Sequence, residues 1–286
     1  MSGVLVVVHP DRPQARSLAS TAATWWQERG YDVVTSADKE PEPGGHPEPA
    51  APELDGKGPF DFAISLGGDG TMLRAVRLAC PGHTPVLGVN LGRMGYLTEV
   101  EPAGMLAAFE QIAAGKYQVE ERMTLEVAVD AHATGGRQEY VALNEAIIEK
   151  IGPGHTIRVA VDISSRRFLT YAADGVLVCT PTGSTAYNLS ARGPVVSPKL
   201  NAMVLTPVAP HLVFDRSLVL GPSETITFTL LGDREATVAL DGSRIIPLKV
   251  GETVTCRGGE DPARLVTFSE RDFHAVLRSR FGLTDH

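Results

Sequence analysis

Positive charge is scarce in this sequence. Its 286 residues carry 26 Lys and Arg against 34 Asp and Glu, a formal net charge of -8. Such a field repels phosphate backbones and anionic bilayers, so non-specific nucleic-acid binding and membrane docking are not expected, and only a local basic pocket stays open. Cysteine is scarce too. Cys80, Cys179 and Cys256 lie far apart and form no CxxC pair. That excludes a disulfide framework or a cysteine-rich zinc site and predicts three packed thiols in a reducing compartment. Aromatics are only 6%. No run approaches the ~18 apolar residues of a membrane span. Residues 4–8 (VLVVV) are apolar, but they lack a basic flank and end at His9-Pro10-Asp11. They read as a first buried strand rather than a leader, and the cytoplasm is the expected location.

Glycine (29) and proline (20) are plentiful, and 43% of residues are hydrophobic. At ~150 residues per domain the length predicts two domains with ample core. No repeat of fixed period is present. The first third alternates strand and helix signals. A strand at 4–8 leads to a helix with Asp11 as its N-cap and Pro13 just inside, ending at Gly30. Strands follow at 31–35, 60–66 and 85–90, with helices at 71–79 and 102–114. This order predicts a Rossmann-like parallel α/β domain over 1–116. Residues 38–59 hold six prolines and six acids and read as a mobile, solvated surface loop. Beyond Gly115 the apolar period drops to two, as at Leu125, Val127 and Val129, or Val159, Val161 and Ile163. A mainly antiparallel β-sandwich domain is expected over 117–268. The tail, 269–286, reads as a C-terminal helix packing back on the first domain.

Three constellations carry chemistry. Gly67-Gly68-Asp69-Gly70 sits where a buried strand ends and a helix begins. Glycines let the main chain approach a ligand or take positive φ, and the helix start is an anion site at the carboxyl edge of an α/β sheet. Asp69 among such amides could hold Mg2+, accept a proton from an attacking hydroxyl, or simply cap the helix. The second constellation, TPTGSTAY at 180–187, surrounds a glycine with hydroxyls that suit phosphate and ribose oxygens, or form an ordinary capping loop. The third, Asn144-Glu145, interrupts an apolar strand and can grip a ribose diol. Asp174-Gly175 could be a plain turn.

Taken in this order, GGDGT after a strand, NE in a β region, then DG and TPTGSTAYNLSARGPVVSP, the chain resembles the NAD kinase family from its first strand to about Phe268. LGVNLGRMGYLTEV at 87–100 is similar to that family's second glycine segment. The resemblance implies transfer of the terminal phosphoryl of ATP, or of inorganic polyphosphate, to the 2′-hydroxyl of the adenosine ribose of NAD, with Mg2+ accompanying the donor. It makes Asp69 the catalytic proton acceptor, with Gly67, Gly68 and Gly70 around it. Asn144 and Glu145 would hold the ribose, and Thr185, Ala186, Tyr187, Asn188, Leu189 and Ser190 would line the adenine and neighbouring parts of NAD. Asp174 would be an NAD-contacting acid, in the family sometimes supplied by a neighbouring subunit. Arg74 and His155 fall where relatives place basic or polar contacts. A homodimer or homotetramer is implied. Ala172 stands where some relatives carry a basic side chain, which resembles variants that also accept NADH. Asp241-Gly242-Ser243 resembles a family DG turn with serine where glutamine is common, and no role follows. GGDGT is shared with lipid kinases of the diacylglycerol-kinase type, and a non-catalytic NAD(P)-sensing protein would keep the same pocket. The TPTGSTAY loop speaks against the first and the intact Asp69 against the second.

Overall fold

The computed structural model describes residues 2–37, 60–92, 95–270 and 272–283. The acidic, proline-rich stretch 38–59 lies outside them. The chain divides into two compact units, and among the described residues the second is Arg122–Pro262 and the first is the rest.

The first unit begins with strand β1 (Gly3–Val8), whose six residues are all buried, as a parallel strand covered on both faces requires. Helix α1 (Pro13–Gln27) follows. Its N-cap residue is Arg12 rather than Asp11, and no side chain caps it. Pro13 opens the first turn, where its missing N–H costs nothing. Ala15, Ala19, Ala22 and Trp26 form its buried stripe at helical spacing. Trp26 packs edge-on against Tyr31 at 4.8 Å and tilted against Phe109 at 5.4 Å. Next come β2 (Asp32–Ala37), β3 (Phe62–Gly67), α2 (Asp69–Ala79), β4 (Val86–Asn90), α3 (Met105–Ala113) and β5 (Gln118–Arg122).

The second unit is built from β6 (Leu125–Ala131), β7 (Gly136–Ala142), β8 (Glu145–Lys150), β9 (Ile157–Ile163), β10 (Arg166–Ala173) and β11 (Gly175–Cys179). It continues through a short helix α4 (Tyr187–Ser190), β12 (Met203–Val208), β13 (Leu218–Leu220), β14 (Ile226–Leu231), β15 (Ala236–Leu240), β16 (Arg244–Leu248) and β17 (Thr253–Gly258). Two six-stranded sheets result, ordered β10-β9-β14-β17-β6-β7 and β13-β12-β11-β8-β15-β16. Alternate residues of both sheets, such as Val127, Val161 and Phe228 from one and Ile148, Val178 and Val238 from the other, share a single core. This is the sandwich that the period-two pattern predicts. The other face of the second sheet is apolar as well. Ile147, Leu177, Cys179, Val204 and Ala239 are covered there by Val196 and Ala191. The loop that follows β11 therefore lies on that face.

Two last elements, β18 (Ala263–Thr267) and α5 (Phe273–Phe281), return to the first unit, whose sheet reads β2-β1-β3-β4-β18-β5. Pairs β1-β2, β1-β3, β3-β4 and β4-β18 are parallel. Residues 118–122 and 263–267 thus belong to the first sheet, although the sequence places them within the β-rich region expected over 117–268. Helix α5 is capped by Asp272, whose carboxylate accepts from the N–H groups of His274 and Ala275. Among the described residues no helix is long and apolar enough to cross a membrane, and all three cysteines are buried free thiols.

Candidate functional site

In the first unit, β3 delivers the glycine turn. Gly67 closes the strand, Gly68 is the extended N-cap of α2, and Asp69 is the helix's first residue. None of these glycines has positive φ. Gly67 is needed for space, because a Cβ there would lie 2.1 Å from Thr71 Oγ1, while Gly68 and Gly70 face open space. Asp69 does not cap its own helix. Its carboxylate accepts from the Tyr96 N–H at 2.9 Å and the Leu97 N–H at 3.2 Å. A Cβ on Gly95 would stand 1.8 Å from Asp69 Oδ1, so only glycine admits this contact.

The second glycine segment is laced to the first. The Leu91 N–H donates to Gly67 C=O at 2.8 Å, and Asn90 closes its own turn by bonding both ways with Gly92. The Arg12 guanidinium donates to Leu91 C=O. Half-buried Arg74 donates to Ser36 Oγ, near the carboxyl end of β2. Burial raises the pKa of the Tyr96 phenol; Arg280, 5.1 Å over its ring, opposes this, and the Asp69 charge adds to it.

In the second unit, strand alternation sends Ala146 and Ile148 into the sandwich and Glu145, Ile147 and Glu149 to the opposite face. Glu145 pairs across from Cys179, and Glu149 from Gly175. The TPTGST segment folds over this end of the sheet. The Thr180 N–H donates to Asn144 C=O at 2.9 Å, and Gly183 packs so closely that a Cβ would fall 2.1 Å from the same oxygen. The Tyr187 N–H donates to the Glu145 carboxyl. The other carboxyl oxygen, Oε2, is buried without a hydrogen-bond partner. Burial first, then the Asp241 charge, push Glu145 up to about 8, with the Tyr187 bond opposing. At pH 7 it is a neutral acid that can donate as well as accept. Burial and then Glu145 also raise the Cys179 thiol. The Tyr187 phenol is raised by burial and by Glu149, Asp174 and Glu145, which places it among three acids. Asp174 is paired with Lys150 at 2.6 Å.

Of the residues singled out from sequence, Asn144, Glu145 and Tyr187 come together here, with Thr185 and Ala186 leading into α4, while Asp174 lies beside Lys150 at the other end of β8 and joins the group only through the Tyr187 phenol. Leu189 is half-buried and Ser190 exposed. Asn188 faces the protein. Its Oδ1 accepts from Thr206 Oγ1 at 2.7 Å and its Nδ2 donates to the carbonyls of Ser184 and Pro194. His155 stands exposed in the turn beyond Lys150, the end of β8 away from Glu145. Gly95 and Gly183 fall inside glycine segments that the sequence marks, but what each one packs against is not legible there, and Asp241 carries no role in the sequence. Their parts depend on neighbours 26 to 98 residues away, and of Asp241 only the turn it makes with Gly242 is legible.

Comparison with known proteins decides the family. The ATP-NAD kinase N-terminal domain matches residues 4–117 and the ATP-NAD kinase C-terminal domain residues 143–268. An NAD kinase of Heliobacterium modesticaldum is 39% identical over 98% of both chains. The chain belongs to the NAD kinase family. Another NAD kinase, from Symbiobacterium thermophilum, is 40% identical over 84% of this chain and 85% of its own. An NAD kinase from Archaeoglobus fulgidus, solved in complex with ATP, superposes with TM-score 0.71 at 26% identity, covering 99% of this chain and all of its own. The fold is shared with yeast NADH kinase, solved with NADH, at TM-score 0.82 and 22% identity, over 100% of this chain and 89% of that one. The glycine turn lies in the part matched by the family's N-terminal domain and the Glu145 cluster in the part matched by its C-terminal domain.

Proposed function

We propose that this kinase moves the terminal phosphoryl of ATP or polyphosphate to the 2′-hydroxyl of the adenosine ribose of NAD, with Asp69 as general base. The observation that carries the reading is Glu145 Oε2, a buried oxygen left without a partner beside Asn144 and Tyr187. Buried polar atoms are normally paired, so an orphan at the rim of a hydroxyl-rich loop marks where ligand hydroxyls complete the set. A neutral Glu145 donates to one ribose oxygen and accepts from another, Asn144 adds its amide, and Tyr187 offers a half-exposed ring for the base. Asp69 is oriented by two amides and keeps lone pairs for the substrate proton, which it takes as the oxygen–phosphorus bond forms. The open space at Gly68 and Gly70 suits close approach of donor phosphates to the helix start.

Among the described residues no three His, Cys, Asp or Glu side chains cluster as a metal cage. A Mg2+ accompanying the donor would be held mainly by phosphate oxygens and water, as that ion commonly is. When bound, the ion offsets negative charge on the donor. The same reading takes the chain as a cytoplasmic homodimer or homotetramer, and the buried thiols suit a reducing compartment.

The test is a coupled assay: NAD, Mg2+ and ATP or polyphosphate with the purified chain, and NADP read by an NADP-specific dehydrogenase. Asp69→Asn should keep NAD affinity and lose roughly 10²–10⁴ in turnover. Near-normal turnover in that variant removes Asp69 from the base role.

A further inference from the structure

The turn between β15 and β16 carries a side chain that the sequence left without a part to play. Asp241 and Gly242 have φ of 50° and 67°, and the Ser243 N–H closes back on Leu240 C=O. This is the type I′ geometry that favours aspartate and glycine. Left-handed backbone at a non-glycine residue is costly and persists where something else rewards it. Here the reward is visible. The carboxylate of Asp241 is buried and accepts three successive main-chain N–H groups, from Leu143 at 3.0 Å, Asn144 at 2.7 Å and Glu145 at 3.2 Å. In return the Asp241 N–H donates to Glu145 C=O at 3.0 Å. Three adjacent amides aimed at one carboxylate form a bend, and the residues on that bend are Asn144 and Glu145.

We propose that Asp241 is a positioning residue for phosphoryl transfer, fixing the Asn144–Glu145 bend in the shape that grips the ribose without touching substrate itself. The inference rests on the reading that Asn144 and Glu145 hold NAD. An anion does this where a neutral side chain would not. Oδ1 takes two of the amides and Oδ2 the third, so an asparagine keeps only one acceptor oxygen for three donors. The opposite side of the bend is braced by Thr180 and Gly183, which leaves Asn144 clamped from two directions. Burial first and then the charge of Asp241 keep Glu145 protonated, so the side chain that sets the direction of the grip also adds to its protonation.

The experiment compares Asp241→Asn, Asp241→Gly and Asn144→Ala with the parent chain, each assayed for the KM of NAD, the KM of ATP and kcat. Glycine suits the positive φ, so Asp241→Gly removes the carboxylate while keeping the turn. The expected result is a graded rise in the KM of NAD, at least tenfold for Asp241→Asn and larger for Asp241→Gly, with the KM of ATP within twofold. A purely structural role would lower the folded fraction, and so kcat, while leaving KM where it was. If Asn144→Ala weakens NAD and both Asp241 variants do not, the positioning role is wrong while the ribose grip stands. If Asn144→Ala leaves the KM of NAD unchanged, the ribose grip itself fails and this inference falls with it.

Discussion

Replacing Glu145 with glutamine should make the protein more stable while making it a worse enzyme. Glutamine has the same shape and keeps an oxygen for the Tyr187 N–H, but it cannot ionise. In the unfolded chain the Glu145 carboxyl titrates near 4.5, while in the folded chain burial and Asp241 hold its proton until about 8. The folded state therefore binds one more proton than the unfolded state between those values. The contribution of Glu145 is fully present below pH 4.5 and is lost as pH rises through 8. At 1.36 kcal/mol per pH unit, the loss is about 3 kcal/mol at pH 7 and about 5 kcal/mol above pH 8. These figures apply to a side chain only 5% exposed, so solvent screening takes little from them.

The titratable groups facing Glu145 are Asp241, Cys179 and Tyr187, and all three remain in the variant. The difference between the two proteins therefore isolates this carboxyl. Denaturant melts at pH 4, 7 and 9 are the assay. The two curves should agree near pH 4 and separate upward, with the variant ahead by a few kcal/mol at pH 9, a gain of several degrees in Tm for a domain of this size. Over the same range the KM of NAD should rise. Stability curves that run parallel from pH 4 to 9 would refute the idea that this group stays protonated in the fold.

Gly95→Ala places a methyl 1.8 Å from Asp69 Oδ1 and must drive that carboxylate off its two amides. Turnover should fall by about 10²-fold or more while the KM of NAD holds, a split that steady-state kinetics reads directly. Gly183→Ala pushes a methyl against Asn144 C=O, a backbone atom that cannot swing away, and should cost about 1–3 kcal/mol in thermal melts together with a weaker KM for NAD. Asn188→Ala strands the Ser184 and Pro194 carbonyls and takes one of two partners from Thr206 Oγ1, and should destabilise by roughly 1–3 kcal/mol, with the KM of NAD unchanged because the side chain faces inward.

Much of the fold is written locally. The buried strand 62–67, the glycine turn and the helix from Asp69 are visible because each depends on a few neighbouring residues, and the sandwich follows from period-two runs such as Leu125–Ala131. Strand membership is not local. Residues 118–122 (QVEER) and 263–267 (ARLVT) carry no clear alternation, and only their distant partners put them in the first sheet. The same limit governs the site. Matching TPTGSTAYNLS to a family marks Asn188 as part of a binding segment, but a sequence does not say which way a side chain turns, and this one turns inward. His155 had a suggestive place in the chain and stands in a turn beyond the far end of β8. Asp241 was readable as a turn, while its grip on Leu143, Asn144 and Glu145 spans 96 to 98 residues.

Strand β8 also guards against faulty assembly. Its inward residues are Ala146 and Ile148, and its outward ones are Glu145, Ile147 and Glu149. A slip of one position would turn both carboxyls into the sandwich core, taking Glu145 from the Tyr187 N–H and Glu149 from its half-open place. Any copy that completes folding has therefore already set its acids on the correct side, and quality control of the ribose grip is inherited from the packing of the strand that bears it.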